Sequence, residues 1–83
     1  MNPDSNILER IGITLRKLRK EKKLTQAELS SVCGVDRKFL SSIERGERNV
    51  SLLTLCQITH ALGKDFLSFT NELKANSLPN QTK

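Results

Sequence analysis

The stretch from Leu24 to Gly46, LTQAELSSVCGVDRKFLSSIERG, constrains this chain more than any other. Thr25 is placed to cap a helix beginning at Gln26. Glu28, three residues on, can accept in return from the cap's own N–H, which satisfies two backbone donors reciprocally. Cys33-Gly34-Val35 then interrupts the helix, and Gly34 stands where the chain must reverse, a place best served by a residue free to adopt positive φ. Asp36 offers a second N-cap. The segment after it carries Arg37, Lys38, Ser41, Ser42 and Arg45 on one side and Leu40 and Ile43 on the other, with Gly46 as a left-handed stop. Two short helices are therefore expected, over about 26–32 and 37–45. A helix with a basic, polar first turn, held at a fixed angle by the turn before it, is shaped to enter a groove.

Three further helices follow from periodicity and punctuation, which makes the expected fold all-α. Leu8, Ile11, Leu15 and Leu18 recur at spacings of three and four, so the first helix is expected over about 6–22, with Ser5 or Asn6 as its cap. Ser51 caps a fourth helix running to Leu62 and closed by Gly63, with Leu52, Leu55, Ile58 and Leu62 facing inward. A fifth begins after Asp65, with Phe66 and Phe69 inward. No period-two alternation and no repeat appears. Residues 5–74 are expected to form one domain, and the polar, proline-containing segment 75–83 a flexible tail.

The net charge of +5 is unevenly spread. Residues 10–48 hold eleven Lys/Arg against five Asp/Glu, whereas the rest of the chain is close to neutral. A basic field covering the segment that carries the two short helices is the footprint expected for phosphate binding. Cys33 and Cys56 are far apart with a single histidine, His60, so neither zinc spacing nor a disulfide framework is present. No metal and no cofactor is expected. There is also no phosphate-cradling glycine loop and no nucleophile–base spacing, so an enzyme is not expected. No apolar run is long enough to span a bilayer, the N-terminus lacks a secretion pattern, and the expected location is cytoplasmic.

LRKLRKEKKLTQAEL, GVDRKFLSSIERG and VSLLTLCQITHALG together resemble the Cro-repressor-like, or XRE-type, helix-turn-helix regulators. The short ERGERNVS stretch resembles the controller proteins of restriction-modification systems in particular. The resemblance implies a compact five-helix bundle of the lambda-repressor-like DNA-binding type, with the helix-turn-helix at helices 2 and 3. It implies a sequence-specific transcriptional regulator acting as a homodimer on a palindromic double-stranded DNA operator, with RNA polymerase as a further partner. Phage-type repressors and antitoxin-type regulators share most of the pattern, and an adaptor that binds protein rather than DNA is a further alternative. Ser30 departs from the family, which usually places alanine there.

Arg37 and Lys38 are the expected base readers, since arginine can grip guanine through O6 and N7 together; Lys38 can instead reach a phosphate. Gln26 begins the second helix, where free N–H groups and the positive end of the helix dipole favour a phosphate, as the resemblance also implies. Ser41 and Ser42 can touch the DNA backbone, and Phe39 either packs on the scaffold or meets a thymine methyl. The resemblance places Arg45, Arg48 and Asn49 in a loop along the sugar-phosphate backbone, with Arg48 also reaching a base. It further pairs Arg19 with Glu44 in a partly buried, structural ion pair. Leu53 and Leu67 are left over from the inner stripes of helices 4 and 5 and are expected to form a homodimer seam.

Overall fold

The structure, a computed structural model, describes residues 4–75. Five helices occupy this span: α1 (Asp4–Glu21), α2 (Gln26–Cys33), α3 (Arg37–Glu44), α4 (Leu52–Ala61) and α5 (Phe66–Ala75). No strand occurs among the described residues. The expected tail lies outside them, except for Ala75, which closes α5. Ser5 and Asn6, expected as caps, are already inside α1, which begins at Asp4.

The core is aliphatic. Leu15 and Leu18 of α1, Leu29 and Cys33 of α2, Leu40 and Ile43 of α3, Leu55, Ile58 and Leu62 around α4, and Phe69 of α5 are all buried in one cluster. Each such large apolar side chain taken out of water contributes roughly 1.5–3 kcal/mol before conformational entropy is charged against it. Leu8 and Ile11 sit only half-buried at the other end of the α1 stripe.

Gly12 decides how closely α1 and α3 approach. A Cβ built there would lie 2.5 Å from the Glu44 carbonyl oxygen and 2.6 Å from that of Ile43. The C-terminal end of α3 thus rests directly on the α1 backbone, a fit open only to glycine. Arg19 lies seven residues further along α1, two turns on and so on the same face, within reach of the Glu44 side chain. α1 itself ends in a left-handed residue that is not glycine: Lys23 has φ 61°, while the Leu24 N–H donates to the Arg19 carbonyl at 3.2 Å, closing the helix in a Schellman-type turn.

Two residues expected in the core lie outside it. Leu52 is 63% exposed and Phe66 41% exposed. Each is the first residue of its helix, and helical Cβ atoms tilt toward the N-terminus, so these side chains project past the end of the layer that Leu55 and Phe69 fill.

Candidate nucleic-acid interface

The α2–turn–α3 unit is fixed by interactions spanning five residues or fewer. Thr25 Oγ1 accepts from the Glu28 N–H at 3.0 Å and the Glu28 carboxylate from the Thr25 N–H at 2.8 Å, so the capping box is complete. Gly34 takes φ 75° and its N–H donates to the Ser30 carbonyl. The Ser30 hydroxyl donates to the Val35 carbonyl at 2.6 Å, bracing the turn from inside; the serine that departs from the usual alanine here has a partner. Asp36 Oδ2 accepts from the N–H groups of Lys38 at 3.0 Å and Phe39 at 3.2 Å. Its charge is thereby directed at the start of its own helix.

Arg37 and Lys38 project into solvent from that first turn, and neither enters an ion pair among the described residues. Together with Gln26 and Ser41 they line a surface depression of about 180 Å³. Four of the residues expected to contact DNA thus meet at one place, two from the first turn of α3, one from its second turn and one from the start of α2. Ser42 does not join them. It is buried, and its hydroxyl donates to the Phe39 carbonyl at 2.7 Å, so that its hydrogen is spent within α3. α3 packs against α1 and α2 at once, which leaves a narrower exposed strip than an eight-residue helix packed on one side would have.

The loop after α3 is organised around its arginines. The Arg45 guanidinium donates to the Ser41 hydroxyl and pairs with Glu47 at 3.1 Å, both side chains well exposed. The Arg48 guanidinium lies over the Phe39 ring, 5.8 Å from its centroid, a cation–π geometry. Phe39 is half-buried against the core, so its exposed face carries Arg48 beside α3. Asn49 is exposed. Nothing in the residue order signals the contact between Phe39 and Arg48, because they lie on different elements.

Beneath this surface Arg19 and Glu44 form a buried, two-pronged pair, Nε to Oε2 at 2.8 Å and Nη2 to Oε1 at 3.0 Å. Arg19 Nη1 also donates to the Leu24 carbonyl at 2.8 Å. Gln26 Nε2 joins by donating to Glu44 Oε1 at 3.0 Å. Planar guanidinium against carboxylate, with every guanidinium nitrogen hydrogen-bonded, is the arrangement in which a buried pair is tolerated.

A second surface is apolar. Leu53 and Leu67 are 75% and 73% exposed. Nearby, Ile7, Leu8 and Ile11 of α1 with Leu52, Phe66 and Leu73 help to line an open groove of about 360 Å³. His60 is exposed, Cys33 is buried and Cys56 partly so, and both thiols are free. Among the described residues there is no cluster of metal-ligating side chains and no helix long and apolar enough to cross a membrane.

Comparison with known proteins agrees with this geometry. The family model described as helix-turn-helix matches residues 15–69. The control protein C.MunI from a Mycoplasma species is 47% identical over 60 residues, covering 71% of this chain and 81% of that protein. The control protein C.BamHI from Bacillus amyloliquefaciens is 41% identical over 70 residues, covering 80% and 86%. The restriction-modification controller protein C.Esp1396I, solved as a tetramer with its natural 35 base-pair operator, has the same fold with a TM-score of 0.80 at 30% identity, over 84% of this chain and 92% of that one. The chain belongs to the helix-turn-helix family of transcriptional regulators, and within it groups with the restriction-modification control proteins.

Proposed function

We propose that this regulator binds a two-fold symmetric duplex operator as a homodimer and controls a restriction-modification operon in the cytoplasm, with no catalysis of its own. One domain over residues 5–74 carries both DNA binding and self-association. Arg37, Lys38 and Arg48 read bases; Gln26, Ser41, Arg45 and Asn49 hold the sugar-phosphate backbone. RNA polymerase is the partner through which such a regulator acts on transcription.

The observation that carries this reading is the first turn of α3. Two exposed cations without ion-pair partners among the described residues stand there on a helix whose cap, turn and preceding helix are all fixed. Rigid presentation matters because base contacts discriminate only when their geometry is held, whereas mobile cations contribute a sequence-independent attraction. The exposed leucines of α4 and α5 supply a surface for a second copy, and a two-fold axis there would set two recognition helices about 34–36 Å apart, one turn of B-DNA.

The test is binding of a labelled fragment from upstream of the protein's own gene, against a shuffled fragment of equal length, across a series of salt concentrations. A preference for the native fragment that survives moderate salt is expected. Equal binding to both, collapsing together as salt rises, would sink the sequence-specific reading. Neighbouring endonuclease and methyltransferase genes would separate restriction-modification control from the phage-type and antitoxin-type alternatives.

A further inference from the structure

We propose that Glu44 is a positioning residue for DNA contact, its buried carboxylate fixing which way the Gln26 amide points toward the duplex. The inference rests on the reading of Gln26 as a contact to the DNA backbone and goes beyond it by naming what orients that contact.

The argument begins with the chemistry of the partners. An ionised carboxylate only accepts hydrogen bonds, whereas an amide can present either its nitrogen or its oxygen. With Gln26 Nε2 set 3.0 Å from Glu44 Oε1, the flipped amide would put oxygen against oxygen. Only one orientation is therefore satisfied. Among the described residues it leaves the second amide hydrogen and the amide oxygen of Gln26 unspent, beside Arg37, Lys38 and Ser41 in the depression they line together.

The carboxylate is itself held. Arg19 grips both of its oxygens, the Glu44 side chain is 3% exposed, and the same guanidinium donates to the carbonyl of Leu24, just before the α2 cap. One buried cluster thus joins α1, the C-terminal end of α3 and the first residue of α2. A glutamine side chain otherwise has to be ordered when it binds, and holding it beforehand removes that cost from the binding step. Eighteen residues separate Gln26 from Glu44, and only the packing of α3 brings them together.

Two measurements on the full chain test this. In the free protein, ¹⁵N relaxation of the Gln26 side-chain amide should show it rigid, in contrast to the exposed Gln57, and Glu44→Gln should release it, because a neutral amide partner can satisfy either orientation. Affinity for a short random-sequence duplex should fall about three- to tenfold in Gln26→Ala, the range of one net hydrogen bond. Glu44→Gln should fall comparably, and the double variant no further than Gln26→Ala. Arg19→Lys loses the two-pronged grip and should lower the melting temperature, whereas the amide relaxation and the double-variant comparison are readouts that a merely structural role for Glu44 would not move. Multiplying losses in the double variant, or a wild-type Gln26 amide as mobile as that of Gln57, would overturn the proposal; the latter decides even if Glu44→Gln does not fold. A wild-type protein that binds no duplex overturns the DNA reading itself, whatever the amide does.

Discussion

Arg37 and Lys38 differ in what they can say to DNA although they share a turn. A guanidinium meets the two acceptors of guanine with two parallel donors, while an ammonium is a compact charge with no preferred plane. Arg37→Ala should therefore narrow the preference for operator over shuffled DNA by roughly 1–3 kcal/mol in paired titrations, the range for one bidentate base contact. An unchanged ratio would remove Arg37 from the role of reader. Lys23 tests the backbone instead. Its left-handed φ of 61° is costly for any residue with a Cβ, and Lys23→Gly should raise stability by about 1 kcal/mol, a rise of several degrees in Tm for a domain of this size. A lower Tm would mean that the lysine side chain offsets its own strain. Asp65 supplies the pH test. The Ser68 backbone N–H, 2.8 Å from its carboxylate, and then the Ser68 hydroxyl hold its pKa below the usual 3.8. Its contribution to stability is thus present at neutral pH and is lost as pH falls below about 4 through the lower folded value. Asp65→Asn keeps an acceptor but does not titrate, so its Tm should decline less steeply than the wild type's in that acid window.

At the scale of elements, the seam between α1 and α3 governs the rest. α3 has little surface of its own and takes its angle from what it rests on. Gly12 lets the carbonyl end of α3 sit on α1, and Arg19 then ties that end down through Glu44. Gly12→Ala raises intrinsic helix propensity by about 1 kcal/mol, yet the added methyl meets backbone carbonyls that no side-chain rotation can clear. The substitution should destabilise by about 1–3 kcal/mol net of that gain and weaken DNA binding by tilting α3, measurable by denaturant titration and binding in parallel. A variant as stable as the wild type would show that the helices can separate without loss.

For the whole molecule, the two surfaces have opposite chemistry. The basic side formed by Arg37, Lys38 and the arginines of the loop after α3 repels another such face, while α4 and α5 carry Leu53 and Leu67 largely in water. A domain this small gains from covering such residues with a second copy. Leu53→Glu with Leu67→Glu should yield a folded monomer by analytical ultracentrifugation, because neither side chain belongs to the core, and operator affinity should fall together with dimerisation as one recognition helix is lost from each complex. A dimer that persists with normal affinity would place the seam elsewhere, for instance along the groove that Leu52 and Phe66 line.

Residue order by itself determined what depends on near neighbours: helix caps at Thr25, Asp36 and Ser51, the Gly34 reversal, the apolar spacing of Leu15 and Leu18, and the basic first turn of α3. These features act over a few residues, so their physics is written where they stand. Only the tertiary structure decided which face of a short helix is covered. Ser42 went inward because α3 is packed on two sides, and Leu52 and Phe66 went outward because first-turn side chains overshoot the core. The Gln26–Glu44 bond and the Gly12 contact with α3 likewise join residues far apart in the chain. A helix of two turns does not carry enough pattern to fix its own rotation; its neighbours do that, through burial and through buried charges such as Arg19 and Glu44 that must be paired.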